Sequence, residues 1–375
     1  MSSAIVAFGE DWGGLPSSTQ HVIGRLAEDR DVVWVNSIGL RRPRLSSRDF
    51  SRAAAKIRNA FGDNKTSEKA QQPERLSVLH PRVLSWPGNP MARLANRLVL
   101  GAQLRESLAA RGLRKPIFWT SLPTAAPLVG AFDHGPLVYY CGDDFSALAG
   151  VDHGPVAALE RALAARADLI LVASETLAQK FPADRTVVLP HGVDFEKFAD
   201  PAAPAEDLPN HGAVAGFYGS IADWIDVELI ARCALTMPEW TFVLIGKVET
   251  DVSALAGFGN VKLLGPRPHE SLPGYSQHWT VSLLPFRDTP QIRACNPLKL
   301  REYFAAGSPV AASVDFPALG PYRDLLHLPD AGRDFANTIR FAAGDRAQAL
   351  DRRARVAGES WDVRAQTVST LLEAL

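Results

Sequence analysis

Short runs of β-branched and aromatic residues recur along this chain with helix-length segments between them. In the first half they fall at 4–8, 32–36, 76–79, 117–119, 137–140, 169–173 and 186–189. Strands separated by helical segments rather than by two-residue turns imply parallel β-α units. The alternation stops after Phe198, where Pro201, Pro204 and Pro209 within eleven residues forbid a long helix or a central strand. It resumes at 214–218 and continues at 242–245, 261–264, 281–284 and 310–312. The pattern predicts an α/β chain of two doubly wound, Rossmann-like domains facing a cleft, and 375 residues are enough for both. The expected boundaries are an N-terminal domain over 1–198, a linker over 199–212, a C-terminal domain over 213–358 and a closing helix over 359–375. Helix signals agree: Ser17 or Ser18 can cap a helix to about Glu28, and Pro155 suits the first turn of one carrying Val156, Leu159 and Leu163.

Composition narrows the function classes. The longest apolar runs, 32–35 and 281–285, are far shorter than the roughly 20 residues of a membrane span. The N-terminus reads as a first strand rather than a secretion signal, so a cytoplasmic protein is expected. Cys141, Cys233 and Cys295 are too few and too scattered for a disulfide framework or structural zinc. The net charge of -1 hides an asymmetry, because residues 41–115 hold 17 Lys and Arg against 5 Asp and Glu. That surplus predicts a basic face: Arg41, Arg42, Arg44, Arg48, Arg52, Lys56 and Arg58, then Arg93, Arg97 and Arg105 beside Met91, Leu94 and Leu98, suited to an anionic membrane surface. Nucleic acid is the weaker reading, since only Phe50 and Phe61 are at hand for stacking and no nucleic-acid module is visible.

Open parallel sheets bind ligands beyond the carboxyl ends of their strands, so the residues after each strand carry the chemistry. After the first strand comes Gly9-Glu10-Asp11-Trp12-Gly13-Gly14, which lacks the dinucleotide fingerprint. Asp11, Trp12, Gly13 and Gly14 form either an acceptor-side loop whose backbone approaches an anion or sugar, or a tight turn. Asp143 and Asp144 follow the 137–140 strand as adjacent carboxylates, one of which can serve as general base, while a turn cap is the alternative for Asp144. Asp29-Arg30-Asp31 superficially matches a metal motif but lies before a strand, on the edge away from the cleft. Ser17, Ser18, His21, His153 and His191 are further candidates to line the cleft. Near 297, Pro297 can open a helix that Gly307 ends, with Lys299 and Glu302 on one face near its positive N-terminus. A cation for a pyrophosphate and a carboxylate for ribose hydroxyls make a nucleotide clamp.

The stretch Pro-Leu-Lys-Leu-Arg-Glu-Tyr-Phe-Ala-Ala-Gly-Ser-Pro-Val over 297–310 resembles the donor-nucleotide segment of GT-B glycosyltransferases of the family 4 type. Leu-Pro-His-Gly-Val-Asp-Phe-Glu-Lys-Phe over 189–198 looks like their exit from the N-terminal domain, and Val-Ala-Gly-Phe-Tyr-Gly-Ser over 214–220 like their first C-terminal strand and phosphate loop. Gly265-Pro266-Arg267 is placed like their nucleobase loop, and Ser360-Trp361-Asp362 like the start of their closing helix. Asp11 to Pro16 and Tyr140 to Asp144 resemble bacterial enzymes of teichuronic-acid and exopolysaccharide assembly, including the xanthan-type glucuronosyltransferases.

The resemblance implies a transferase acting on a nucleotide-sugar, a UDP-sugar above all, with a carbohydrate or lipid-linked acceptor, no cofactor and no metal. Gly219, Ser220, Gly265, Arg267, Pro297, Leu298, Lys299 and Glu302 would hold the donor, and Asp143 or Asp144 would be the base. Two departures stand out: Ala294 replaces a glutamate usual eight positions before the ribose-binding one, and Ile221-Ala222-Asp223-Trp224 replaces a frequent Arg and Lys. A nucleotide-sugar epimerase of the same architecture and a non-catalytic scaffold for a partner enzyme are the alternatives.

Overall fold

Each expected strand forms. The structure, a computed structural model, describes residues 3–14, 17–38, 72–84, 86, 88–148, 151–330 and 332–375. Contacts divide the chain into one unit over Met1–Pro190 with Ala365–Leu375 and a second over His191–Arg364. The boundary therefore precedes the one read from the proline-rich stretch. The helix Phe195–Ala199 sits in the second unit, anchored by Phe198, which is fully buried in that unit's core.

In the first unit β1 (Ile5–Phe8), β2 (Val32–Val35), β3 (Leu76–Leu79), β4 (Ile117–Thr120), β5 (Leu137–Cys141), β6 (Leu169–Val172) and β7 (Thr186–Val188) form a parallel sheet in the order β3-β2-β1-β4-β5-β6-β7. Strands β1, β2, β4, β5 and β6 are buried along their whole length, which is why they read as continuous apolar runs instead of alternating ones. Helix α1 (Ser18–Leu26) opens on Ser17, whose hydroxyl accepts the Gln20 amide. Helix α2 (Pro90–Ala110) is capped by Asn89, which accepts the Met91 and Ala92 amides. Helix α3 (His153–Ala164) starts two residues ahead of Pro155, behind Asp152.

The second unit carries β8 (Ala213–Tyr218), β9 (Trp240–Ile245), β10 (Val261–Gly265), β11 (Val281–Leu284) and β12 (Val310–Ala312), all parallel, in the order β10-β9-β8-β11-β12. Its topological switch point lies between β8 and β11. Trp279 fills the space over Gly216, where an added Cβ would lie 1.8 Å from the indole. Helix α4 (Phe195–Ala199) enters this unit, and α5 (Val227–Thr236) opens on Asp226. The short helix α6 (Pro290–Ala294) and then α7 (Leu298–Ala305) follow β11. Helix α8 (Trp361–Glu373) ends the chain, so the expected closing helix is present.

Candidate nucleotide and catalytic sites

Three neighbouring strands of the second unit end in glycine. Gly219 after β8, Gly246 after β9 and Gly265 at the end of β10 have φ of 142°, 146° and 69°. They are stitched in sequence, with the Gly219 amide donating to the Ile245 carbonyl at 2.9 Å and the Gly246 amide to the Gly265 carbonyl at 3.0 Å. An added Cβ on Gly246 would lie 1.9 Å from the Gly219 carbonyl oxygen, so the two backbones touch only because neither has a side chain. Gly246 escaped the sequence reading, although its place at a strand end is the signal that marks it.

Helix α7 points its N-terminus at this edge. Pro297 is the capping residue rather than the first helical one and offers no side-chain cap, and no acidic residue occupies the first turn, leaving the positive helix end uncompensated. Lys299 lies along Gly219, with its Cε 3.1 Å from where a Gly219 Cβ would be, and among the described residues its ammonium has no hydrogen-bond or ion-pair partner. Other cations at this edge are engaged: Lys247 pairs with Glu249, and Arg267 pairs with Asp207 at 2.5 Å while donating to the Tyr275 hydroxyl and the Leu264 carbonyl. The Arg267 side chain is thus tied to Asp207 and Tyr275 as well as to its own loop. Ser220 is half-buried beside Gly219.

Glu302, one turn on from Lys299, is 4% exposed and accepts a hydrogen bond from His269 at 3.0 Å. Burial first, then the Glu302 charge, hold the Tyr218 phenol well above its ordinary value. The helix itself is fixed by Arg301, whose guanidinium bonds Glu359 at 2.6 Å and Asn296 at 2.7 Å and faces the Tyr322 ring. Leu298 is half-buried, and Ala294 is buried at the end of α6.

In the first unit the two carboxylates after β5 have separate environments. Asp144 accepts the Ser146 amide at 3.0 Å and hydroxyl at 2.6 Å and pairs with Lys180 at 2.6 Å. Desolvation would raise its carboxyl, but the bonds from Lys180 and Ser146 outweigh it and hold the group below the ordinary value. Lys180 also reaches Glu160 at 3.5 Å, a buried carboxylate that accepts the Tyr139 hydroxyl at 2.8 Å. Asp144 is thus the turn cap of the alternatives above. The Asp143 carboxylate has no hydrogen bond to any described residue, and desolvation followed by the Asp144 charge pushes it up from the ordinary value. Asp143 is exposed at the residue level, so it meets solvent while staying crowded by protein.

The loop after β1 is a turn. The Trp12 amide donates to Asn36 at 3.0 Å, the Gly13 amide to Gln20 at 3.3 Å and the Gly14 amide to the Asp11 carbonyl at 3.2 Å. Asp11 accepts the Ser37 amide, and Trp12 meets Trp34 edge-on. Its amides are therefore used internally. Asp29 and Asp31 precede β2, at the end of the sheet opposite these loops, and Arg30 between them bonds Ser369 and Glu373. His153 faces the Phe145 carbonyl, and the His191 amide donates to Asn296.

Two cations of the expected basic face also hold the fold together where it is described. Arg97 donates to the carbonyls of Pro127, Val129 and Gly130, and Arg105 to that of Ala131, so both tie α2 to its own unit. Residues 41–58 lie outside the described residues. What α2 and the loop before it do present is apolar: Leu84, Trp86, Met91, Leu94, Leu98 and Val99 are each 45–73% exposed.

Comparison with solved structures spans the whole chain. HepE of Anabaena in complex with UDP-glucose superposes with a TM-score of 0.72 over 100% of both chains at 15% identity. Sucrose-phosphate synthase of Thermosynechococcus elongatus gives 0.71 over 99% of this chain and 98% of that one at 16% identity. The fold is GT-B. The chain has two Rossmann-like units of seven and five parallel strands, and the resemblance read from residues 189–220 and 297–310 is borne out at the level of fold. No protein-family model matches the chain. In sequence, a Bacillus subtilis (strain 168) protein named teichuronic acid biosynthesis glycosyltransferase TuaH is 30% identical over 216 residues, 52% of this chain and 54% of that protein. The chain spans about half the length of the curated relative it matches.

Proposed function

We propose that this GT-B protein transfers a glycosyl group from a UDP-sugar to a carbohydrate or lipid-linked acceptor in bacterial surface polysaccharide assembly. The observation that carries the reading is Lys299: an ammonium without a partner among the described residues, at an uncapped helix N-terminus, against a glycine edge that admits a phosphate close to backbone. Glu302, buried three residues on, is the acceptor for the ribose hydroxyls. As the glycosidic bond to the diphosphate breaks, Lys299 and the helix end neutralise the departing oxygens, a role that leaves no step for a metal. In the inverting form of this reaction Asp143 takes the proton of the acceptor hydroxyl, because Asp144 is held by Lys180 and Ser146.

TuaH, named for teichuronic acid biosynthesis, and HepE, crystallised with UDP-glucose, support the donor class and the setting. The protein works in the cytoplasm at the inner face of the membrane. Among the described residues no helix is long and apolar enough to cross a membrane. The exposed apolar stripe of α2 instead lies on an anionic bilayer, helped by the positive surplus of 41–115. Incubation with UDP-sugars tests the reading. Release of UDP that requires an added acceptor supports transfer, whereas interconversion of a sugar without acceptor supports an epimerase, and no turnover with tight partner binding supports a scaffold.

A further inference from the structure

The residue facing the buried Glu302 comes from outside the donor segment. His269 lies in the loop after β10, and its Nε2 is 3.0 Å from Glu302 Oε1. Its other ring nitrogen, Nδ1, is 3.3 Å from the Lys197 ammonium on α4. An ammonium has protons to give and no lone pair, so Nδ1 must be the acceptor there. The imidazole proton is then on Nε2, which donates to Glu302. Phe198, next along α4, meets the imidazole edge-on at 5.4 Å and 67° and fixes its plane, while Asp194 at the start of that helix stands 3.8 Å from Lys197.

We infer that His269 is a positioning residue that aims the Glu302 carboxylate at the ribose diol of the donor, through a hydrogen-bond relay anchored on Lys197. The inference rests on the donor reading above. A buried carboxylate needs a donor of its own. The imidazole supplies one fixed N–H to one oxygen and leaves the remaining lone pairs to receive two hydroxyl protons. Without the ring the carboxylate would rotate, and the diol would meet it in several orientations. The relay also gives a chemical reason for Lys197 and Phe198, which lie about a hundred residues before Glu302 in sequence.

The test is calorimetry with UDP and with 2′,3′-dideoxy-UDP, on wild type, His269→Ala, His269→Gln and His269→Asn, each checked for an unchanged melting profile. Wild type should lose about tenfold or more in affinity when the diol is removed, as for a hydrogen bond to a charged group. His269→Ala should bind UDP only about as well as the dideoxy ligand. His269→Gln, whose amide nitrogen takes the place of Nε2, should restore discrimination, and His269→Asn, which reaches only the Nδ1 position, should not. ¹⁵N shifts of the wild-type imidazole should report the proton on Nε2. Wild-type discrimination in His269→Ala, or an equal loss for both ligands, would overturn the inference. A wild-type protein that binds neither ligand would overturn the donor reading itself, and one that binds both equally would remove Glu302 from the ribose.

Discussion

Replacing Gly246 by alanine should damage the proposed nucleotide edge of the second unit. The added Cβ starts 1.9 Å from the Gly219 carbonyl oxygen, and contacts under 3.0 Å are essentially never seen, so the two strand ends must separate by about 1.1 Å. Gly219 is the residue against which Lys299 packs, so the same shift moves the cation proposed to bind phosphate. The φ of 146° adds a backbone penalty of about 1–3 kcal/mol, before any cost of displacement. For a domain of this size each kcal/mol lowers the melting temperature by roughly 2–4 °C. Gly257→Ala is the control, because its φ of 89° carries similar strain while its Cβ meets nothing within 4 Å. Scanning calorimetry should show both variants destabilised, and titration should show UDP affinity lost at least about tenfold in Gly246→Ala alone. Gly246→Ala with wild-type stability and wild-type UDP affinity would refute the reasoning.

Other outcomes follow from the same geometry. Asp143→Asn should lower turnover by roughly 10²–10⁴ with nucleotide binding intact, and kcat/KM of the wild type should rise with pH along a limb above the ordinary aspartate value of about 3.9; equal activity in the variant would move the base elsewhere. Asp144→Asn should instead lower stability: the lowered folded pKa stabilises above the ordinary value and is lost as pH falls through the folded one, so the melting temperatures of variant and wild type should converge only in acid. Turnover with a UDP-sugar should be unaffected by EDTA, and an EDTA block reversed by magnesium would contradict the metal-free reading. Liposome co-sedimentation should require anionic lipid and weaken with salt, and Leu94→Glu with Leu98→Glu should reduce it several-fold while leaving melting unchanged; equal recovery with neutral vesicles would remove the electrostatic part of that surface.

The strands were legible because parallel sheets bury both faces: Val32–Val35 and Val281–Leu284 are apolar at nearly every position and offer no alternative period. Helix α7 was legible from Pro297, Lys299, Glu302 and Gly307 in one stretch, with a one-residue difference because Pro297 takes the extended capping conformation. Long-range partners were not legible. The separate environments of Asp143 and Asp144 come from Lys180, 36 residues beyond Asp144, and no local spacing marks that pairing. That Arg97 and Arg105 also bond the carbonyls of 127–131 has no local signal either. Phe198 ends the motif at 189–198, but only its packing shows that it belongs to the second unit's core. His269 carried no signal in sequence, since a lone histidine after a turn is commonplace.

The central claim is that a nucleoside diphosphate binds on Lys299 and Glu302. Isothermal titration of UDP into wild type, Lys299→Ala and Glu302→Ala measures it directly. Each substitution should weaken binding by about 1.5–3 kcal/mol, roughly 10- to 150-fold, with the melting temperature of the unliganded protein preserved. Wild-type UDP affinity in both variants would contradict the claim.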